Sequence, residues 1–302
     1  MARRKNKSKA GKLGVILGII CLLLSLASLK NLDTELVNKS EFSKGDAVYV
    51  HFIDVGQGSA TLIQQGVRGI IIDAGEREYG DRVVDYMKDC GIEKVILAVG
   101  SHPHSDHIGG LDEVIRAFPT DEVILPELTE SNTPTTRVYE DLLIAIDEKD
   151  IDVTFVDEET FYCNMTSSVS LSTLGPVEQN KNLNNMSVMC FVDCFDTTFF
   201  IPGDAEKGEL ESVYEVSDIY ELKADVMAMS HHGSDTALYK PFLDAVDADV
   251  AVISCGKNNS YGHPHEKLLD YIRDNKMNCL RTDEQGDIIF KVTESGYSLV
   301  KQ

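Results

Sequence analysis

Ser101-His102-Pro103-His104-Ser105-Asp106-His107-Ile108-Gly109-Gly110 directly follows the apolar run Lys94-Val95-Ile96-Leu97-Ala98-Val99-Gly100. That run is apolar and rich in valine and isoleucine over the length of a strand, which predicts a buried strand, so the histidines and the aspartate fall on the loop where it ends. Imidazoles and a carboxylate crowded into so short a stretch suit a borderline divalent cation such as zinc. His102 and His104, two apart on an extended or turning backbone, can converge on one ion. Asp106 and His107 come after the chain has turned and can face a second. Gly109 and Gly110 allow a tight path into a helix expected over 111–118.

Upstream, Ala47-Val48-Tyr49-Val50-His51-Phe52-Ile53-Asp54-Val55-Gly56-Gln57-Gly58 reads as a strand ending in a glycine-punctuated turn, followed by strands over 60–64 and 69–73 and a helix near 81–90. Downstream, strands are expected over 169–174, 187–195 and 197–201, the last closing on Pro202-Gly203-Asp204. A helix near 206–213, a strand over 224–230 running into His231-His232-Gly233-Ser234, a helix near 238–246, a strand over 249–254 and the loop Tyr261-Gly262-His263-Pro264 complete the pattern. Strands alternating with helices in this way argue for a layered α/β architecture. Asp204 at a strand end can cap the following helix or place its carboxylate between two ions. Asp54 and Asp73 also end strands, and are expected to brace the metal loops through hydrogen bonds.

The chain has 302 residues and a formal net charge of −22; its first twelve residues hold six basic and no acidic groups, so the remainder stands at −28. A body this acidic repels polyanions at long range and argues against a tight nonspecific nucleic-acid track. Residues 1–12 read as a basic cytoplasmic tail, 13–29 as an uncleaved transmembrane signal anchor, 30–46 as a linker and 47–302 as the globular domain. This order puts the catalytic domain outside the cell, held to the membrane by the N-terminal helix, or secreted if that segment is cleaved. Cys21 lies in the anchor; Cys90, Cys163, Cys190, Cys194, Cys255 and Cys279 form no C-x-x-C pair and could pair outside the cell, but several lie in strand-like apolar runs that favour free core cysteine, and none reads as a metal ligand.

His-x-His-x-Asp-His at a strand end resembles the signature of the metallo-β-lactamase-fold hydrolases. Together with Phe52-Ile53-Asp54-Val55-Gly56-Gln57-Gly58, Ile201-Pro202-Gly203-Asp204, His231-His232-Gly233-Ser234 and Tyr261-Gly262-His263-Pro264, in this order, it is similar to the soluble metallo-β-lactamase domain of the ComEC competence family, over roughly residues 47–300. A phosphorylcholine esterase carries a related form. The resemblance implies a four-layer αββα sandwich and two divalent metal ions, zinc favoured over manganese. One ion would take His102, His104 and Asp204, and the other Asp106, His107, Asp204 and His231, with His232 behind. The wider family supplies a further histidine between the packet and Asp204. Residues 108–203 contain none, and Asn184, Asn185 and Ser187 occupy that region. ComEC's multi-helix channel has no counterpart, so a role in moving DNA does not carry over.

The mechanism this implies is hydrolysis by a metal-activated hydroxide, with Asp106 as ligand and orienter and His263 protonating the leaving group or steadying a phosphate. The substrate class is a phosphodiester, DNA included. The alternatives are an extracellular esterase for cell-envelope phosphodiesters such as phosphorylcholine, and an anchored binding module without catalysis.

Overall fold

A computed structural model of the chain describes residues 34–36, 39–157, 161–217 and 222–301. In chain order, β1 (Thr34–Leu36), β2 (Val48–Phe52), β3 (Thr61–Gln65), β4 (Arg68–Ile72), β5 (Lys94–Val99), β6 (Thr120–Pro126) and β7 (Asp152–Val156) enter one sheet. The second sheet takes β8 (Tyr162–Thr166), β9 (Val169–Leu174), β10 (Met189–Cys194), β11 (Thr197–Ile201), β12 (Val226–Ala228), β13 (Val250–Ile253) and β14 (Asn278–Arg281). Finally β15 (Ile288–Thr293) and β16 (Gly296–Lys301) return to the first, whose order is β1-β16-β15-β2-β3-β4-β5-β6-β7.

Strand alternation explains the layers. Val48, Val50, Phe52, Ile70, Ile72, Leu97 and Val99 pack inward against Val188, Cys190, Val192, Phe199, Val226 and Val252 of the second sheet. Their neighbours Leu62, Ile71 and Ala98 point outward, under α1 (Gly80–Asp89), α2 (Ser105–Ile108), α3 (Leu111–Ala117) and α4 (Arg137–Glu148). On the other outer face, Met189, Phe200, Met227 and Ala251 lie under α5 (Lys207–Val216), α6 (Lys240–Val246) and α7 (Glu266–Asp274). The result is two sheets face to face with helices on both outer sides, the αββα arrangement expected.

Within this frame, β4, β5 and β6 run parallel, and so do β11, β12 and β13. Loops leaving the carboxyl ends of β4, β5, β11 and β12 gather at one edge of the sandwich, where Asp73, the histidine packet, Asp204 and His231-His232 all lie.

The segment read as a linker over 30–46 is partly built into the domain. Thr34–Leu36 pairs in parallel with β16, and a 3₁₀ turn over Lys39–Lys44 buries Phe42 against Tyr49 and His51, ring centroids 4.6 and 5.2 Å away. An edge strand offers unpaired backbone groups, so even a polar segment can satisfy them. We expect Phe42→Ala to destabilise the protein by about 3 kcal/mol in urea unfolding, as for other buried phenylalanines; a loss under about 1 kcal/mol would show that this segment is a free spacer after all. The tail over 1–12 and the anchor over 13–29 lie outside the described residues. Among the described residues, no helix is long and apolar enough to cross a membrane. Among the described residues, Cys163, Cys190, Cys194, Cys255 and Cys279 form no disulfide.

Candidate metal centre

Asp73 organises the floor of the site. It is buried at the end of β4, where its Oδ1 accepts the Ser101 N–H at 2.8 Å and its Oδ2 accepts both the Ser101 hydroxyl and the His107 Nδ1–H at 2.7 Å. With Nδ1 donating, neutral His107 carries a lone pair on Nε2. His232 is set in the same way, its Nδ1–H donating to the Ser254 carbonyl at 3.0 Å. The two Nε2 atoms, bare in the neutral tautomers, lie 3.3 Å apart, with His232 Nε2 3.1 Å from Asp106 Oδ2 and His107 Nε2 3.0 Å from Asp204 Oδ1.

One ligand atom each from Asp106, His107, Asp204 and His232 therefore lies within 4.8 Å of the others. Beside them, His102 Nε2 and His104 Nδ1 are 3.0 Å apart, and His102 Nε2 is 3.9 Å from Asp204 Oδ2. Asp204 is common to both groups. Its backbone N–H is held by the Ser187 hydroxyl at 3.0 Å, leaving the carboxylate to face the histidines.

These residues fit divalent metal. Asn184 Oδ1 is a buried side-chain oxygen without a hydrogen-bond partner among the described residues, and donor atoms converge from several sides. The electrostatics agree. Burial pushes His107 and His232 down, yet the carboxylates of Asp204, Asp73 and Asp106 outweigh it, holding His107 well above the ordinary imidazole value and His232 up at about 9. Burial likewise opposes ionisation of Asp204, but His107 and His232 keep its carboxyl well below the usual range. The field at this point calls for positive charge.

His102, His104, Asp106, His107 and Asp204, singled out in the sequence, are thus brought together. The adjacent pair after β12 comes out in the reverse of the expected order: His232 lies inside the four-atom group, and His231 stands at its rim. His231 Nε2 is 3.8 Å from Asp204 Oδ2, while its Nδ1 faces Glu206 at 3.2 Å and the Thr236 hydroxyl at 3.0 Å. The cause is local backbone. Both residues adopt the left-handed conformation, with φ of 53° and 54°, which breaks the alternation of the strand and turns the second ring inward.

Where the absent histidine was noted, the chain forms a 3₁₀ turn over Leu183–Met186. Asn184 lines the cleft with Nδ2 donating to Glu206 at 3.2 Å, whereas Asn185 turns away to accept the Glu206 N–H. Gly58 explains the glycine-rich turn: with φ of +155°, a Cβ there would stand 2.5 Å from the Asp106 carbonyl, and Ser59 N–H donates to that same carbonyl at 3.0 Å.

His263 lies across a cleft of about 370 Å³ whose wall also includes Gln57, Glu76, His104, Asp106, Thr136, Asp204 and Tyr261. Burial first, then the charges of His232 and His231, push His263 down to about 4, so near neutral pH it is an uncharged imidazole. A neutral ring offers one donor and one acceptor nitrogen and is no reservoir of acidic protons. Gln57, in contact with it, was not singled out by its sequence context.

Asp73→Asn tests the floor. An amide cannot accept from the Ser101 N–H, the Ser101 hydroxyl and His107 together, so we expect metal affinity to fall about 10- to 100-fold in a competition titration, the usual cost of losing a ligand's orienting partner. Unchanged affinity would mean that Asp73 does not set His107.

Comparison with known proteins adds to this geometry. A family profile described as "Metallo-beta-lactamase superfamily" matches residues 53–257. ComE operon protein 3 of Bacillus subtilis is 27% identical over 267 residues, 80% of this chain and 33% of that protein. Recombination protein 2 of Haemophilus influenzae is 28% identical over 252 residues, 79% of this chain and 28% of that protein. The chain thus spans about a third of the length of these curated relatives. Among solved structures, Igni18, a metallo hydrolase from Ignicoccus hospitalis, superposes with a TM-score of 0.50 at 12% identity, covering 80% of this chain and 98% of that one.

Proposed function

Because this chain belongs to the metallo-β-lactamase superfamily and carries a ComEC-like domain, we propose that it is a metal-dependent phosphodiesterase. The observation that carries the proposal is the convergence of Asp106, His107, Asp204 and His232, with both histidines fixed as Nε2 ligands by their Nδ1 hydrogen bonds.

In this reading Asp106, His107, Asp204 and His232 would hold one ion, and His102, His104 and Asp204 would hold another. Nitrogen-rich donors favour zinc over magnesium or calcium, and manganese is the alternative. The chemistry such ions supply is a lowered pKa for water and stabilisation of negative charge developing on phosphorus. The protein's own contribution is placement. Asp106 faces the cleft and orients the attacking water, while His263 donates a hydrogen bond to a phosphoryl or leaving oxygen. Water adds to phosphorus as one ester P–O bond breaks, giving an alcohol and a phosphomonoester.

Single-stranded DNA is one diester within this class. The cleft wall argues for short or flexible diesters over a long track, because no lysine or arginine is among its lining residues and Glu76 is. A cell-envelope diester that carries an esterified phosphorylcholine group is the second reading, and the same acidic wall favours it. We propose an extracellular position from the basic residues 3–12 preceding the apolar run 13–29.

The test is hydrolysis by the purified full chain of a bis-aryl phosphodiester, a choline phosphodiester and single-stranded DNA. Turnover of the bis-aryl diester that stops with chelator and returns with zinc or manganese is expected. Activity that chelator leaves unchanged would overturn the proposal.

A further inference from the structure

Gln57 sits where the first half of the chain meets the second. Its Oε1 accepts the Gly256 backbone N–H at 3.1 Å, and its Nε2 lies 3.4 Å from His263 Nδ1. A backbone N–H can only donate, so the atom turned to it must be the amide oxygen, and the atom turned to His263 must be the amide nitrogen. Gly256 makes this contact available, because a Cβ there would stand 2.7 Å from the Gln57 backbone nitrogen.

An amide nitrogen only donates, so His263 Nδ1 is an acceptor and a neutral ring carries its proton on Nε2. We propose that Gln57 is a positioning residue that holds His263 as the Nε2–H tautomer, making it a hydrogen-bond donor to a substrate oxygen and not a general base. The ring is pinned in other directions as well. It stacks on Tyr261 at 5.6 Å and 22°, and on His232 at 6.2 Å and 29°. Asn259 holds its backbone, accepting the His263 N–H at 3.0 Å and donating to its carbonyl at 2.6 Å. The ring's other polar atom is Nε2, and His263 lines the cleft. Its use on a phosphodiester rests on the function proposed above; the tautomer itself does not.

Long-range proton–nitrogen correlation spectra of full-length protein labelled at histidine, assigned with His263→Asn, read the proton position directly. In the wild type we expect a protonated Nε2 and a bare Nδ1. In Gln57→Glu, one carboxylate oxygen still accepts from Gly256 while the other faces Nδ1, so the proton should move onto Nδ1. A wild-type ring protonated on Nδ1, or a Gln57→Glu spectrum identical to wild type, overturns the assignment whether or not diesters are cleaved. With a bis-aryl diester, Gln57→Met should lower kcat at least tenfold and leave KM within about threefold; wild-type kcat in that variant would equally overturn it.

Discussion

Replacing His232 by alanine should lower hydrolysis about a thousandfold, since losing several kcal/mol of charge stabilisation costs a factor of ten for each ~1.4 kcal/mol. It should also remove close to one equivalent of divalent metal. The neighbouring His231→Ala should stay within about tenfold of wild type, because that ring stands at the rim with Glu206 and Thr236 as partners, so its loss is closer to that of an outer contact. The contrast follows from where the two side chains go. His232 Nε2 is 3.1 Å from Asp106 and 3.5 Å from Asp204, and its Nδ1 is tied to Ser254. Metal content and kcat/KM for the two variants side by side decide the matter, and the opposite ranking would return the ligand's role to His231.

Asp204→Asn should be more damaging still, lowering hydrolysis about ten-thousandfold, because several kcal/mol are lost from both halves of the site at once. The Asp204 carboxylate faces His107, His232, His231 and His102 at 3.0, 3.5, 3.8 and 3.9 Å. An amide keeps the shape and removes the charge that balances cations there. The fold should persist, since the backbone of Asp204 is held independently by Ser187. Measured metal content should fall toward zero in this variant while its circular dichroism stays that of the wild type. Full metal loading would show that Asp204 is a helix-capping aspartate with no share in the site.

Much of this was legible in the sequence because it depends on short-range pattern. The run Lys94–Val99 is apolar enough to announce a buried strand, and the packet after it has little purpose unless its side chains meet. Gly203-Asp204 likewise follows an apolar strand. The choice between His231 and His232 was not legible, since it turns on two successive left-handed residues that no periodicity anticipates. The pairing of Thr34–Leu36 with β16 was hidden as well, because the partner lies at the opposite end of the chain. The elements between residues 119 and 168, β6, α4, β7 and β8, are less legible; the strand Asp152–Val156 is an edge with mixed burial and shows no clean alternation. The role of Gln57 within its motif was not legible for a similar reason. Its role exists only through Gly256 and His263, brought to it by the closure of the sandwich.

Aspartates and histidines from three separate loops, those after β5, β11 and β12, are predicted to hold divalent metal together. Elemental analysis of the full chain, purified without chelator and dialysed against metal-free buffer, tests it most directly. About two equivalents of zinc or manganese per chain in the wild type are predicted, falling when Asp204 or His232 is replaced. A folded wild-type protein that retains no divalent metal, and takes up none when zinc or manganese is supplied, would contradict it.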